Sequence, residues 1–289
     1  MRLKFPLFLA GFLLPAAGEA SPQITIPSGI PEGYGMVFED DFQAPTLDVS
    51  KWNTTMAFDG RKGGRYHNIS YLHYLQDDDV ILCDGILQLR ASHRAVEGND
   101  PAGRFEYSAG LITTHDKHYF KYGYFEIRAK YPGGRGVWPC IWLISQEQYW
   151  PPEFDIAEYV GGIGEMRYGL CHGTLKNVQW DSTVECAPLF EAGWHTYALD
   201  WRAGQAIWYV DGKVKKVVTA EYVPDTPMYL ILSNGVSSRI GPAGEPAEKT
   251  VFPNFFEIDY VRVYQPPGAS ERKKFNSPIL AITAEIAKP

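Results

Sequence analysis

Apolar and polar residues alternate in many short segments along the chain, and turn-forming residues separate these segments. Alternation with a period of two is typical of β-strands that bury one face. Breaks such as Asp84-Gly85, Gly161-Gly162 and Asp211-Gly212 are typical of the turns between strands. Because no long stretch has helical periodicity, the sequence predicts an all-β protein. The predicted strands are 35–39, 80–83, 86–92, 108–113, 122–131, 138–144, 153–159, 167–172, 194–201, 205–210, 213–218, 227–233 and 256–264.

Many short strands joined by regular turns indicate a β-sandwich or jelly roll. Residues 21–265 contain no Ser/Gly linker, repeat or low-complexity tract, which indicates one domain. The segment 266–289 departs from the strand pattern and carries a charged cluster at 271–274, so we assign it as a C-terminal tail.

Residues 1–20 have the features of a signal peptide. Arg2 and Lys4 supply the positive start, residues 5–17 form the apolar stretch, and a cleavage site precedes Ser21. The apolar stretch is shorter than the roughly 20 residues that span a bilayer. We therefore expect a secreted or periplasmic protein that is not inserted in a membrane.

Charge and aromatic content narrow the classes of ligand. The formal net charge of −7 disfavours nucleic acid and anionic membrane surfaces as partners. Aromatic residues make up 14% of the chain. Their faces fill cores and also line sugar-binding grooves, so this content is compatible with a carbohydrate ligand.

The cysteines are Cys83, Cys140, Cys171 and Cys186, and export would permit disulfides among them. We predict a pair between Cys171 and Cys186, which flank a loop-like segment. We predict a free thiol at Cys140, which lies between two tryptophans in a strand that should be buried.

The segment 153–159 places three carboxylates in a run that is otherwise apolar. Acidic residues are depleted from strands, and burying a charge without a partner is costly. In a regular strand Glu153 and Asp155 share one face, and Glu158 lies on the other. A β-bulge at Ile156-Ala157 would return Glu158 to the face of Asp155. The alternative interpretation is an exposed strand edge protected by negative charge.

A row of carboxylates on one face has the chemistry for cleaving a glycosidic bond. Two glutamates leaning inward over a curved strand could approach to about 5–5.5 Å, the separation used by retaining enzymes. We assign Glu153 as the nucleophile and Glu158 as the acid/base, with a pKa raised by Glu153 and by partial desolvation. Asp155 could orient Glu153 through a hydrogen bond, or serve mainly as a structural acceptor.

Other segments around this motif occur in a recognisable order, at 122–128, 133–143, 194–201, 208–213 and 258–264. Together with the Glu-x-Asp-x-x-Glu spacing, they resemble glycoside hydrolase family 16, specifically its laminarinase-like branch. The resemblance covers about residues 36–265. It implies a β-jelly-roll sandwich of two curved antiparallel sheets with a substrate groove on the concave face. We expect a monomer that acts on a β-glucan and needs no cofactor for catalysis.

The same resemblance implies a set of sugar-binding residues. Trp138 and Trp142 match tryptophans that shape the subsites just before the cleavage point, and His172 matches a histidine on the leaving-group side. Asn68 resembles an asparagine that contacts a sugar hydroxyl, and Asn234 matches a further groove position. Judged by residue type alone, strand tryptophans often pack in the core and a lone strand histidine is more often structural.

Many members of the family bind a structural calcium ion on the convex side, largely through backbone oxygens. The matching positions in this chain are Asp41, Gly85 and Asp259. Oxygen ligands suit calcium, so the resemblance implies a possible calcium site far from the chemistry.

Three departures from the family pattern affect the groove rim. Leu111 stands where relatives often have arginine, Pro152 replaces a common glycine, and the segment 233–248 is not the usual laminarinase loop. The leading hypothesis is a secreted retaining endo-glycosidase of β-1,3- or mixed β-1,3/1,4-glucan. The alternatives are an agarase- or carrageenase-like galactan hydrolase, a glucan transglycosylase of the same family, and a lectin-like carbohydrate-binding jelly roll.

Overall fold

The computed structural model describes residues 29–58, 61–66, 68–162, 164–186 and 193–267. The predicted signal peptide at 1–20 lies outside these residues, as does the tail from residue 268 onward. No helix within these ranges is long and apolar enough to cross a membrane.

The described residues form twenty strands and one 3₁₀ turn at Asp77–Asp79. In chain order the strands are β1 (Gly35–Asp40), β2 (Met56–Phe58), β3 (Arg61–Gly64), β4 (His73–Leu75), β5 (Val80–Cys83), β6 (Ile86–Ser92), β7 (Val96–Asn99), β8 (Ala102–Phe105), β9 (Tyr107–Ala109), β10 (Leu111–Thr113), β11 (Gly123–Lys130), β12 (Val137–Ser145), β13 (Glu153–Val160), β14 (Glu165–Thr174), β15 (Asn177–Cys186), β16 (His195–Arg202), β17 (Gln205–Val210), β18 (Lys213–Thr219), β19 (Met228–Val236) and β20 (Asn254–Gln265).

Two large sheets face each other across the hydrophobic core. The first, called here the outer sheet, has ten strands in the order β18-β17-β16-β11-β20-β6-β9-β4, with β1 on β20 and β5 on β6. The second, the groove sheet, has six strands in the order β10-β19-β12-β13-β14-β15. Strand pairs are antiparallel, apart from the parallel pair β4–β9. The all-β jelly-roll prediction is confirmed.

The alternating sequence pattern is explained by what lies between the sheets. On β13, Phe154 packs at 5.2 Å from Trp201 and 5.9 Å from Trp208, both on the outer sheet. All three side chains are fully buried. Each aromatic ring that enters the core removes a large apolar area from water, and this burial stabilises the pairing of the sheets.

The strands of the structure differ from the predicted strands in two respects. The predicted strand 108–113 is split at Gly110, where a Cβ atom would lie 2.2 Å from the carbonyl oxygen of Asp79. On either side of this glycine, β9 lies in the outer sheet and β10 in the groove sheet. The prediction also missed six strands: β2, β3, β4, β7, β8 and β15.

The predicted disulfide between Cys171 and Cys186 is wrong, because Cys171 is a free thiol. Along the β14–β15 pair, Cys171 lies opposite Trp180, whereas Cys186 lies opposite Glu165 at the other end of the strand. Cys140 is buried and free, as predicted.

Candidate active site

A β-bulge in the middle of β13 brings the three carboxylates of the motif to one face. Opposite β12, Glu158 pairs with Cys140, Ala157 with Ile141, and Asp155 with Trp142, so Ile156 has no partner in the register. The pairing with β14 shifts at the same place, between Asp155 and Glu158. The predicted bulge is therefore confirmed. Glu153, Asp155 and Glu158 form what is called here the carboxylate row.

The outer sheet supports the bulge from the other side. A bulge removes carbonyl groups from regular ladder hydrogen bonds, and buried carbonyls need other donors. The indole Nε1 of Trp208 donates to the carbonyl oxygen of Asp155 at 2.8 Å. The hydroxyl of Tyr131 donates to the carbonyl oxygen of Ala157 at 2.8 Å. These two side chains hold the backbone of the carboxylate row from inside the core.

Burial raises the pKa of each carboxyl in the row above its ordinary value. Burial and the charge of Glu158 raise the pKa of Glu153 to about 8, against hydrogen bonds from Trp150 and Asp155 that lower it. Burial, followed by the charges of Glu153 and Glu158, raises the pKa of Asp155 well above its usual range. Burial also raises the pKa of Glu158, while a hydrogen bond from Trp138 and the positive charge of Arg167 oppose the rise. The row therefore retains protons at neutral pH.

Two tryptophans hold the ends of the row. The Nε1 of Trp150 donates to Oε2 of Glu153 at 3.1 Å. The Nε1 of Trp138 donates to Oε1 of Glu158 at 2.8 Å. Tyr71 stacks on Trp138 with ring centroids 4.6 Å apart and planes 9° apart, which restricts the indole. Each glutamate thus has one oxygen fixed by an indole.

The carboxylate row lies in an open cleft of about 600 Å³ on the face of the groove sheet away from the core. This volume is in the range of small-molecule and oligomer sites. The cleft is lined by Asn68, Tyr71, Trp138, Cys140, Trp142, Trp150, Glu153, Asp155, Glu158, Arg167, Trp180, Ser182 and Pro242.

Three of the predicted sugar-binding residues lie at this cleft. Trp138 and Trp142 share the face of β12 that lies beside the carboxylate row, since Trp142 pairs directly with Asp155. The Nε1 of Trp142 bonds to the hydroxyl of Ser233 at 3.3 Å. Asn68 lies on the rim with an exposed side chain, whose Oδ1 accepts from the backbone N–H of Ser70 at 2.8 Å.

The predictions for His172 and Asn234 do not agree with the structure. His172 follows Cys171, which lies on the cleft face opposite Glu153, so alternation turns His172 to the other face of β14. There its ring stacks on Tyr222 at a centroid distance of 3.9 Å.

Asn234 is fully buried between the sheets. Its Nδ2 donates to the carbonyl oxygen of Leu89 at 2.8 Å and to Oδ1 of Asn254 at 2.9 Å. The family resemblance implied a groove contact, but the register with Pro139 places the side chain on the core face of β19. The amide links the two sheets instead.

Several cleft residues were not predicted from the sequence: Tyr71, Trp150, Arg167 and Trp180. Trp150 could have been found, because it lies three residues before Glu153 and a tryptophan there must pack near the motif. Arg167 and Trp180 reach the cleft only through strand register, opposite Glu158 and Cys171, which the sequence does not reveal.

The three positions proposed for calcium do not offer a set of carboxylate ligands. The carboxylate of Asp259 is ion-paired with Arg128, and Gly85 has no side chain and lies against the amide of Gln43. Asp41 is exposed and accepts from the backbone N–H of Gln43 at 3.3 Å. Within the described ranges, no group of three or more His, Cys, Asp or Glu is placed to hold a metal ion. The structure therefore gives no support to the calcium prediction.

A jelly roll with a carboxylate row in an open, tryptophan-lined cleft defines a glycoside hydrolase. The family described as "Glycosyl hydrolases family 16" matches residues 71–251, which is more than half of the sequence. The chain belongs to this family.

Individual relatives agree with this assignment. The chain is 28% identical to a beta-glucanase of Rhodothermus marinus over 92% of its own length and 97% of the relative. It is 29% identical to glucan endo-1,3-beta-glucosidase A1 of Niallia circulans, over 86% of this chain but only 41% of that longer protein. The laminarinase catalytic domain of Thermotoga maritima superposes with a TM-score of 0.70 at 29% identity, covering 81% of this chain and 99% of that domain.

Proposed function

We propose that this protein is an exported, monomeric endo-glycosidase that hydrolyses β-1,3- or mixed β-1,3/1,4-glucan with retention of anomeric configuration. The observation that carries the proposal is the bulge at Ile156, which returns Glu158 to the face of Glu153. The relatives from Rhodothermus marinus, Niallia circulans and Thermotoga maritima are glucanases, which supports glucan as the substrate.

In the first chemical step, Glu158 acts as the general acid and Glu153 as the nucleophile. The Glu158 carboxyl gives its proton to the glycosidic oxygen while the bond from that oxygen to the anomeric carbon breaks. A carboxylate oxygen of Glu153 donates an electron pair to the anomeric carbon and forms a glycosyl ester. The leaving chain departs as an alcohol, and Glu158 is left as a carboxylate.

In the second step, the Glu158 carboxylate removes a proton from water, whose oxygen attacks the anomeric carbon. The ester bond to Glu153 breaks, its electron pair returns to the carboxylate, and the product has the original β configuration. Asp155 donates a hydrogen bond to Glu153, which lowers the pKa of Glu153 and favours the ionised nucleophile.

The assignment of roles rests on the motif and not on the pKa values, because burial raises the pKa of both glutamates in the free cleft. The pKa of Glu153 is raised to about 8, chiefly by burial, whereas Trp138 and Arg167 restrain the rise at Glu158. Close carboxyls titrate as a pair, so one proton can be redistributed when substrate enters.

A coupling experiment distinguishes the two roles. An α-glycosyl fluoride has the stereochemistry of the covalent intermediate, so Glu153→Gly should join it to an acceptor sugar with Glu158 as the base. Glu158→Gly lacks that base and should form no new β-linkage. Product formation by Glu158→Gly alone would reverse the assignment.

The substrate and the retention of configuration are tested with the wild-type enzyme. A reducing-sugar assay on laminarin, lichenan, agarose and carrageenan should show release from the first two only. Proton NMR of the first product should show the β-anomer before mutarotation, and an initial α-anomer would contradict retention.

The same assays test the alternatives. Release from agarose or carrageenan would favour a galactan hydrolase, and longer products with little release of reducing ends would favour a transglycosylase. Binding without cleavage would favour a lectin-like module.

Export and oligomeric state need separate measurements. For export, N-terminal sequencing of protein recovered outside the cytoplasm should begin at Ser21. For the monomer, light scattering should give one chain's mass.

A further inference from the structure

Strand β15 forms the edge of the groove sheet, and its two faces differ sharply. Trp180, Ser182 and Val184 pair with Cys171, Gly169 and Arg167 of β14, so they share the face that carries the carboxylate row. Asp181 and Glu185 alternate with them and lie on the opposite face.

The acidic face of β15 is fixed to the rest of the protein. Lys216 of β18 bonds to Asp181 at 2.5 Å, and the hydroxyl of Tyr222 donates to the other oxygen of Asp181 at 2.9 Å. Lys215 bonds to Glu185 at 3.0 Å. These two ion pairs and the hydrogen bond from Tyr222 fix the orientation of β15, so the face with Trp180 is held toward the cleft.

The cleft face of β15 is apolar and exposed. Trp180 is 51% exposed and Val184 is 48% exposed, although large apolar side chains gain free energy from burial. The indole of Trp180 lies 6.3 Å from that of Trp150, with a 52° angle between the planes. Trp150 in turn bonds to Glu153. An exposed apolar surface that continues an established cleft indicates a ligand surface.

The residues between the carboxylate row and Trp180 are small. Cys171 and Gly169 are the β14 residues directly opposite Glu153 and Asp155. Two strand spacings of about 4.8 Å separate β13 from β15, which leaves a shallow floor about 10 Å wide from the row to the indole.

We propose that Trp180 and Ser182 form a distal sugar subsite that binds the part of the polysaccharide extending over β14 away from the cleavage point. The indole face of Trp180 packs against the C–H face of a pyranose ring, and the exposed hydroxyl of Ser182, at the cleft, hydrogen-bonds a sugar hydroxyl. The subsite rests on the proposed glycan-hydrolase function and adds a residue that sets the preferred chain length.

The test is the dependence of kcat/KM on oligosaccharide length for wild type and Trp180→Ala. For the longest oligosaccharides, which reach β15, the variant should lose about fivefold to tenfold in kcat/KM. For the shortest cleaved oligosaccharides, kcat/KM should stay within about twofold of wild type, because they fill only the positions beside the row. Trp180→Phe should restore most of the length dependence.

Leu175→Ala is the matched control, because Leu175 is an exposed apolar residue (77%) at the tip of the same β14–β15 hairpin. This variant should keep the wild-type length dependence. Size-exclusion chromatography accompanies both variants, since the edge strand could instead pair with a second copy.

The outcomes separate the two proposals. A wild-type enzyme that cleaves glucan, with an unchanged length dependence in Trp180→Ala, overturns the subsite alone. An equal loss at every length, or a change of oligomeric state in Trp180→Ala, also overturns the subsite. A wild-type enzyme that cleaves none of the polysaccharides overturns the proposed function and the subsite together.

Discussion

Buried acidic residues beside the outer sheet and in the cleft have different kinds of partner. On the outer side, buried Asp79 bonds to Arg90 at 2.6 Å and Arg94 at 3.1 Å, and Asp200 bonds to Arg202 at 2.6 Å. In the groove, buried Asp155 has Glu153 as its hydrogen-bond partner, and the ends of the row are held by neutral indoles.

The difference shows that burial of an acid does not by itself mark a functional site. Asp79 is fully buried and Asp155 is 6% exposed, so the two are equally hidden from solvent. Two guanidinium groups neutralise the first, which is the arrangement of a structural ion pair. The second lies among like charges that raise its pKa, an arrangement that costs stability and is typical of reactive centres.

The largest expected effect is the loss of turnover when either glutamate of the row is neutralised. Glu153→Gln and Glu158→Gln should each lower kcat by at least about a thousandfold, because the covalent and proton-transfer steps each need their carboxyl. Circular dichroism should show an intact fold. Near-normal kcat in either folded variant would remove that glutamate from the mechanism.

A matched pair of Asp→Asn variants tests the comparison directly. Asp155→Asn should lower kcat about tenfold to a hundredfold, because it alters the hydrogen bond that orients Glu153 and favours its ionised form. The free energy of unfolding should not fall, because a side-chain amide can also donate to Glu153. Asp79→Asn should lower the free energy of unfolding by about 3 kcal/mol, because it leaves two arginines without their buried partner. Its kcat should remain within about twofold of wild type.

Kinetics and urea unfolding of the two variants provide the measurement. If Asp155→Asn lost stability and kept activity, Asp155 would be a structural acceptor like Asp79.

The raised pKa values of the row predict a pH dependence of stability. Between the ordinary carboxyl value near 4.5 and the value of about 8 for Glu153, the folded state keeps a proton that the unfolded state releases. The free energy of unfolding therefore falls as pH rises through this window. Buried His73, with its pKa lowered to about 4 chiefly by burial, has the opposite effect below its ordinary value of 6.5.

Thermal unfolding between pH 6.5 and pH 8 isolates the carboxyls from His73. Wild type should lose about 1–2 kcal/mol over this interval, equivalent to several degrees in Tm. Glu153→Gln should show a smaller decrease that is not abolished, because burial keeps the pKa of Asp155 raised in this variant. An equal decrease in both proteins would assign the dependence to other groups.

The smallest expected effect comes from the support behind the bulge. Tyr131→Phe removes the donor to the carbonyl oxygen of Ala157 and should lower the free energy of unfolding by about 1–2 kcal/mol. We also expect kcat to fall several-fold and the pH–activity profile to shift, because the backbone between Asp155 and Glu158 relaxes. Tyr124→Phe, whose hydroxyl contacts Glu126 on the outer sheet, should leave the profile unchanged.

The sequence predicted those features that depend on residues close together in the chain. The spacing of Glu153, Asp155 and Glu158 was enough to predict the bulge, because only one inserted residue brings all three to one face. The alternation of apolar and polar residues located many of the strands, because this pattern is also visible among neighbouring residues of the chain.

Features that depend on register or on the opposite sheet were not predictable. Asn234 and His172 face away from the cleft because of their strand pairing, although the family resemblance implied groove positions for both. Tyr131 and Trp208 reach the bulge across the core from residues distant in the chain. The two faces of β15 could be assigned only once the register of this strand with β14 was known.

The indole contacts of the row also give the protein an internal optical probe. Of its eight tryptophans, Trp138 and Trp150 bond directly to the two glutamates. Trp201 and Trp208 are fully buried and bond to backbone carbonyls inside the core. Fluorescence emission should therefore shift when the carboxyls ionise or when a ligand displaces solvent, so the cleft can be titrated without any added dye.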